Sequence, residues 1–406
     1  MSVNYSLQAA TATIFSILHV LVLWKGSLWK LLWRELLMWL ILFIVINLLY
    51  YFLIKGSEIE GSYVSIIQGL SKFEIDGTIM FLLSFLNYNS LTRWSDTYNL
   101  LMWPENIALT FNQYFNEKSM TSEKEARNLR NAIVRYITTF YILIFRDVST
   151  EVRQWFPTLQ HLVDSKILTQ DELQLLTSSH LAENSCHYWI PIDWIALIMK
   201  KRYRPKYILD SEGNRIRNPR ESIMSQVHYM EFMRELCKLR GKVSDVLSYD
   251  WVPLPLAFIQ TITVFVYSTL ILSTIQIQLQ IVDAKLDSYA IITNVFVNFL
   301  STIPTNVLYL SFLRISQVVI NPFGQDDDDF ETPYLIDRHF NVLQEILCKE
   351  PDAAPNITPP PAPVGSPNSK AQMEMLTRTR NQLGHTLASA LLSGIGSSRK
   401  SLRRPH

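Results

Sequence analysis

From Leu36 to Ile54, between Glu35 and Lys55, the chain runs nineteen residues without a charge, and Asn47 is the only polar interruption. Inside hydrocarbon every backbone N–H and C=O must be satisfied within the segment, and roughly 20 apolar residues in a helix cover the bilayer core. This stretch is therefore expected to span a membrane. Three further stretches follow the same logic. Gly77 to Thr92 is shorter and carries Asn87, Tyr88, Asn89 and Ser90 in its last third, so it is expected to line something wet. Trp251 to Val282 and Ser288 to Leu313, separated by Asp283 to Asp287, read as a transmembrane hairpin with a kink at Pro304. Composition agrees: only 18% of residues are charged, against roughly 25% in soluble domains.

Basic residues set the orientation. Lys25, Lys30 and Arg34 precede the first span, while the links between spans one and two and between spans three and four carry more acid than base. Both termini are expected in the cytosol. Ile14 to Trp24 is too short to span and lacks a basic leader, so it reads as an interfacial or packed segment. Residues 93–250 are expected to form a helical cytosolic domain without strands. Within it Leu129 to Phe145 is apolar nearly all round, the pattern of a buried core helix, and Arg130, Arg135 and Arg146 argue against a fifth span. Trp155, Phe156 and Pro157 close another helical piece, and Thr169 followed by Glu172 marks a helix start. Beyond Pro351 a Pro-rich, small-residue stretch with a basic end reads as a disordered tail, with a modest amphipathic helix over Ala371 to Leu392.

The formal charge of +1 gives no electrostatic footprint for nucleic acid. Three cysteines, Cys186, Cys237 and Cys348, have no paired spacing and read as reduced thiols. No Ser-His-Asp pattern, phosphate loop or catalytic carboxylate pair stands out, so neither an enzyme nor an organic cofactor is expected. Cys186 and His187 are adjacent and share no helical face, which favours packing over metal binding. The basic run Lys200, Lys201, Arg202, Arg204 and Lys206 reads as a solvated or headgroup-facing patch. Asn356-Ile357-Thr358 has the form of a glycosylation acceptor but would face the cytosol.

One segment just past the fourth span stands apart: Asn321-Pro322-Phe323-Gly324-Gln325, then Asp326 to Asp329, Phe330 and Glu331. Five acids in six positions repel one another. A hard cation taking about 6 to 8 oxygens would relieve that repulsion, and calcium suits the site better than magnesium. The pattern is not an EF-hand. The alternative is a solvated acidic linker, against which stand the Pro-Phe-Gly bend and the flanking aromatics.

This segment resembles the hallmark sequence of the bestrophins, with Gln325 where Glu is common. Trp24-Lys25-Gly26-Ser27, Leu91-Thr92-Arg93-Trp94, Ser149-Thr150, Phe156-Pro157 and Tyr249-Asp250-Trp251 also resemble that family, in one order, over roughly residues 1–345. The resemblance implies an all-α membrane protein forming a homopentameric, calcium-activated chloride channel of the plasma membrane. Each subunit would supply four transmembrane helices and a helical cytosolic domain. The implied divisions are 1–27, contributing to a calcium clasp; 28–92, the first two spans; 93–250, cytosolic; 251–320, spans three and four; 321–350, the clasp turn and a following helix; and 351–406, the tail.

By the same resemblance, regulatory Ca2+ is held by the side chains of Asp326 and Asp329 and by the carbonyls of Ala10, Val318 and Asn321. The pore neck falls on span two at Gly77, Phe81 and Phe85. Phe81 and Phe85 are four apart and share a helix face, which by itself better fits packing against neighbouring helices. Gly77 departs from the family's apolar third position and would widen the outer ring, and Asp76 at that mouth would weaken anion entry. Arg220, after Arg217-Asn218-Pro219, falls at the inner constriction, where an apolar residue is frequent; the alternative there is a surface arginine paired with Glu221 or facing solvent. Chloride, other monovalent anions, calcium and the lipid bilayer are the expected partners. The competing function is a non-conducting membrane scaffold that binds calcium through the same turn.

Overall fold

The computed structural model describes residues 20–70, 76–178, 186–209, 215–218, 221–282, 288–348 and 374. Ala10, Pro219, Arg220, most of the Ile14 to Trp24 segment and nearly all of the tail, with its expected helix, lie outside them. Up to Lys349 the chain is one compact unit, and Glu350–His406 is a second.

The first unit is mostly helical. Its membrane-facing half contains α1 (Leu28–Leu49, continued by a π-helical turn Tyr50–Ile54), α2 (Glu60–Leu70) and α3 (Asp76–Leu100). Later in the chain, α11 (Leu256–Val282) and α12 (Ser288–Val319) join them. By length and hydropathy two described helical stretches are apolar enough to cross a membrane, Leu28–Ile54 and Leu256–Ile277. α12 runs through Pro304 as one helix.

α1, α3, α11 and α12 share a core of Leu32, Ile79, Leu83, Leu86, Ile262, Val266, Leu270, Tyr309, Leu310 and Leu313. Polar ties cross it. Trp39 donates its indole N–H to Thr274 Oγ1 at 3.0 Å and stacks on Phe299, with ring centroids 4.9 Å apart. Glu35, only 6% exposed, accepts from Arg314 and so joins α1 to α12. Ser27 caps α1 by accepting from the Lys30 N–H. Gly26 before it has φ +67, a conformation that costs a residue with a Cβ.

The other half is built on α5 (Glu123–Val148), which the sequence marks as a core helix. Ile137, Phe140, Tyr141, Ile142, Ile144 and Phe145 are fully buried. Around it lie α4 (Glu105–Tyr114), α6 (Thr150–Trp155), α7 (Gln160–Asp164), α8 (Gln170–Thr177), α9 (Trp189–Arg202), α10 (Gln226–Trp251) and α13 (Thr332–Cys348). The expectation of a strand-free, all-α chain is corrected at one place. Tyr207–Leu209 (β1) pairs antiparallel with Arg215–Arg217 (β2), Ile208 opposite Ile216. Pro205 ends the helical register, and the Tyr-Ile-Leu triplet after it favours extended backbone. All three cysteines are free.

The start of α8 is a complete capping box: Thr169 Oγ1 accepts from Glu172 N, and Glu172 accepts from Thr169 N. The same carboxylate also takes two bonds from Arg135, at 2.8 and 3.0 Å, and one from the Tyr136 hydroxyl at 2.6 Å. Burial alone would raise its pKa; these hydrogen bonds outweigh it and hold Glu172 at about 2. A depressed carboxyl contributes stability that is fully present above its ordinary value of 4.5 and is lost as pH falls toward 2. Glu172→Gln should therefore lower the melting temperature at pH 7, a loss on the order of 3 kcal/mol. The gap between variant and wild type should close as pH is brought from 4.5 toward 2, read by thermal unfolding in detergent.

Candidate functional site: the acidic turn and the helix above it

α12 ends at Val319, and the chain bends through Asn321 to Glu331 before α13 begins. The bend is built from its own backbone. Phe330 N donates to Pro322 O at 2.8 Å, Asp329 N to Asp326 O at 3.2 Å, and Asp326 N to the Asp329 carboxylate at 2.7 Å. Two aromatic plugs fix it in place. Phe330 sits against Trp94 and Tyr98 at the end of α3, with centroids 5.3 and 5.4 Å away, and against Phe323 at 5.7 Å. Phe323 in turn reaches Phe145 of α5. Thr332 closes the bend by donating its hydroxyl to Ser149 Oγ at 2.9 Å.

The aspartates are differentiated by their surroundings. Asp327 accepts from Lys30 Nζ at 2.5 Å and from the Gly26 N–H at 2.9 Å, and the lysine contact holds its carboxyl below the usual range. Asp328 is pushed up by burial and by its acidic neighbours. Asp329 is 6% exposed; burial first, with Asp326 and Asp328, raises it to about 6 against the opposing bond from the Asp326 N–H.

Which of these groups suit a hard cation follows from local geometry. A Cβ added at Gly324 would lie 2.6 Å from Asp329 Oδ2 and 3.6 Å from the Asn321 carbonyl, so these two oxygens border one narrow space that only glycine leaves open. In the regular helical ladder the Val318 carbonyl would accept from residue 322, which is proline and has no N–H. Asp329 and the Asn321 carbonyl are thus brought to one space, while Val318 belongs to the last turn of α12; oxygens of these kinds are the donors a hard cation such as calcium takes. Among the described residues no three His, Cys, Asp or Glu side chains form a metal-binding group, so a cation here would depend on backbone oxygens. A cavity of about 450 Å³ opens beside the turn, lined also by Lys25, Glu151, Gln154 and Trp155.

Above the turn, α3 presents two faces. Ile79, Leu83 and Leu86 are buried in the membrane core. Phe81 and Phe85 point away from it, 70% and 49% exposed in the single chain, with the Phe85 ring edge-on to Phe258. Gly77 lies on this outer face, and a Cβ there would meet nothing within 4 Å. At the lower end of α3, Arg93 donates to the carbonyls of Tyr249 and Val252 and lies over the Tyr249 ring, joining α3 to the end of α10.

Several of these ties escape the sequence. Lys30 and Asp327 are 297 residues apart, and nothing local pairs them. Glu35 and Arg314 leave a faint trace, as opposite charges bordering two apolar stretches. Four of the five motifs singled out in the sequence bear on this region: Gly26 and Trp94 touch the turn, Ser149 touches the Thr332 that follows it, and Tyr249 meets Arg93 of α3, whereas the Phe156 and Pro157 carbonyls accept from Arg146.

Helices long and apolar enough to cross a membrane, packed on a larger helical layer with an acidic turn at the junction, are the features of a multi-helix membrane protein. The family model described as "Bestrophin, RFP-TM, chloride channel" matches residues 1–349, and the chain belongs to the bestrophin family. It is similar to Bestrophin homolog 15 of Caenorhabditis elegans, 30% identical across 84% of this chain and 62% of that protein. Human Bestrophin-3 is 30% identical across 84% and 48%, and human Bestrophin-1 is 29% identical across 89% and 59%. The chain thus spans about half to just under two thirds of the length of these relatives. A crystal structure of a bacterial bestrophin homologue from Klebsiella pneumoniae shares the fold, with a TM-score of 0.50 at 15% identity over 79% of this chain and 98% of that one.

The space at Gly324 gives a direct test. Gly324→Ala forces the Asp329 carboxylate to move, an overpacking cost of about 1–3 kcal/mol. The variant should melt lower than wild type in metal-free buffer, measured by intrinsic fluorescence.

Proposed function

We propose that this chain is a calcium-gated chloride channel, assembled as a homopentamer in the plasma membrane, with four spans per subunit and both termini in the cytosol. The observation that carries the reading is the acidic turn. Its buried Asp329 and the Asn321 carbonyl share one space, and its Phe330 is wedged against Trp94 and Tyr98 on the helix that bears Phe81 and Phe85. Membership of a family described as chloride channels supplies the class.

In this reading Asp326 and Asp329, with the carbonyls of Val318, Asn321 and Ala10, hold the ion, which supplies positive charge that neutralises the turn. Neutralised, the turn fixes the angle between the end of α12 and the lower end of α3. Five copies of Phe81 and Phe85 ring the axis. A narrow apolar ring expels water, so a small rotation or widening switches conduction without moving a charge. Gly77 leaves the outer end of this neck wider than its middle. Arg220 forms the inner ring, where five guanidiniums that stay charged at any working pH favour anions.

The side-chain ligands and the neck make separate predictions. Asp326→Ala and Asp329→Ala should each raise the half-activating calcium concentration at least about tenfold, or ~1.4 kcal/mol, in planar-bilayer recordings. Unchanged calcium dependence in both variants would remove the turn from gating, and tight calcium binding by a wild type that passes no anion would favour a scaffold. Phe81→Ala combined with Phe85→Ala should conduct chloride in calcium-free buffer; a silent double variant would place the gate elsewhere.

A further inference from the structure

Between the turn and the neck lies a contact that neither the family resemblance nor the gating reading assigns. Ser316 of α12, fully buried, has its Oγ 2.9 Å from Asn87 Oδ1 of α3 and 2.7 Å from the Phe312 carbonyl of its own helix. The surrounding seam is apolar, formed by Leu83 and Leu86 on one side and Leu310 and Leu313 on the other. We propose that the Ser316–Asn87 hydrogen bond is the joint through which the state of the acidic turn reaches the pore neck, both residues acting as positioning residues. This rests on the gating reading above and deepens it.

Three features make the pair suited to the task. Ser316 lies two residues before Val318 and five before Asn321, so a shift of the turn moves it directly. Asn87 lies two residues past Phe85, about 200° around the helix at 100° per residue, so it faces α12 while the ring faces away. A push at Asn87 therefore turns or slides the helix that carries the ring. Third, a hydroxyl has one proton to donate. Given to Asn87, it bridges the helices; given to Phe312, it closes on its own helix. The bridge is made and broken without stranding the serine in a low-dielectric interior, where an unpaired hydroxyl is costly.

Ser316→Thr and Ser316→Val differ by a hydroxyl against a methyl in nearly one volume, and they form the test. Each variant, with Asn87→Leu and the double variant Asn87→Leu/Ser316→Val, is reconstituted, and two quantities are read: calcium binding to the purified protein and chloride current at saturating calcium. Ser316→Thr should conduct like wild type. Ser316→Val and Asn87→Leu should each lose about five- to tenfold of the maximal current while binding calcium within twofold of wild type. The double variant should be no worse than either single one. Equal currents from the Thr and Val variants, or losses that multiply in the double variant, would overturn the joint. So would loss of calcium binding along with current, which would make the pair part of the turn's own scaffold. Should Ser316→Val not assemble, the comparison of Asn87→Leu with Asn87→Gln, which keeps an amide, decides the same question. A wild type whose current ignores calcium would instead sink the gating reading, and the joint with it.

Discussion

Four aspartates in succession cannot occupy one tight turn unless their mutual repulsion is dealt with individually. Two unit charges about 4 Å apart repel by roughly 4 kcal/mol at the effective dielectric near a protein surface. The turn meets this constraint by giving each acid a different fate. Asp327 is neutralised by Lys30 and the Gly26 N–H, at the start of α1. Asp329 is driven inward, where it accepts from the Asp326 N–H and is held at a raised pKa of about 6. Asp328 is also pushed up by burial. The repulsion is therefore only partly relieved by the protein itself. What remains is a turn held in shape by Phe323 and Phe330 despite its charge, and a buried carboxylate whose pKa stays raised.

Those two phenylalanines explain why the turn lies where it does. Each reaches a different layer: Phe323 the core around α5 through Phe145, and Phe330 the end of α3 through Trp94 and Tyr98. Burial of two aromatic side chains contributes several kcal/mol, which is the scale needed to hold the acids together. The tie from Thr332 to Ser149 and the arginine cap from Arg93 to Tyr249 and Val252 extend the same junction into α5 and α10. Helices from both halves of the first unit thus meet within one small region.

Much of this was legible in the sequence because the signals are local. The α5 core helix follows from apolar residues on every face, the α8 start from Thr169 and Glu172, and the bend after α12 from Pro322 and Gly324. What escaped is long-range or extended. The β1–β2 hairpin rests on two three-residue strands, too short for an alternating pattern to stand out. The Lys30–Asp327 and Glu35–Arg314 pairs join opposite ends of the chain, and one sequence holds no record of which charges meet. The Glu172 cluster was half visible: its capping role is a spacing, whereas its bonds to Arg135 and Tyr136 depend on how α5 and α8 pack.

The polarity of α3 is the last consequence of the same design. By composition it is a poor membrane helix, with Asn87, Ser90, Arg93 and Asp96 from its middle onward, and it does not stand out as the apolar stretches of α1 and α11 do. A helix whose only task were to sit in lipid would be selected for apolarity alone. α3 packs leucines and isoleucine into the membrane core on one face and turns Phe81 and Phe85 outward on another. Toward its lower end it needs a polar group for Ser316, an arginine for the carbonyls closing α10, and aromatics for Phe330. Each demand removes an apolar residue from the span. The weakness of the membrane signal in α3 is therefore the trace left in its sequence by the contacts it must make with α10, α12 and the acidic turn.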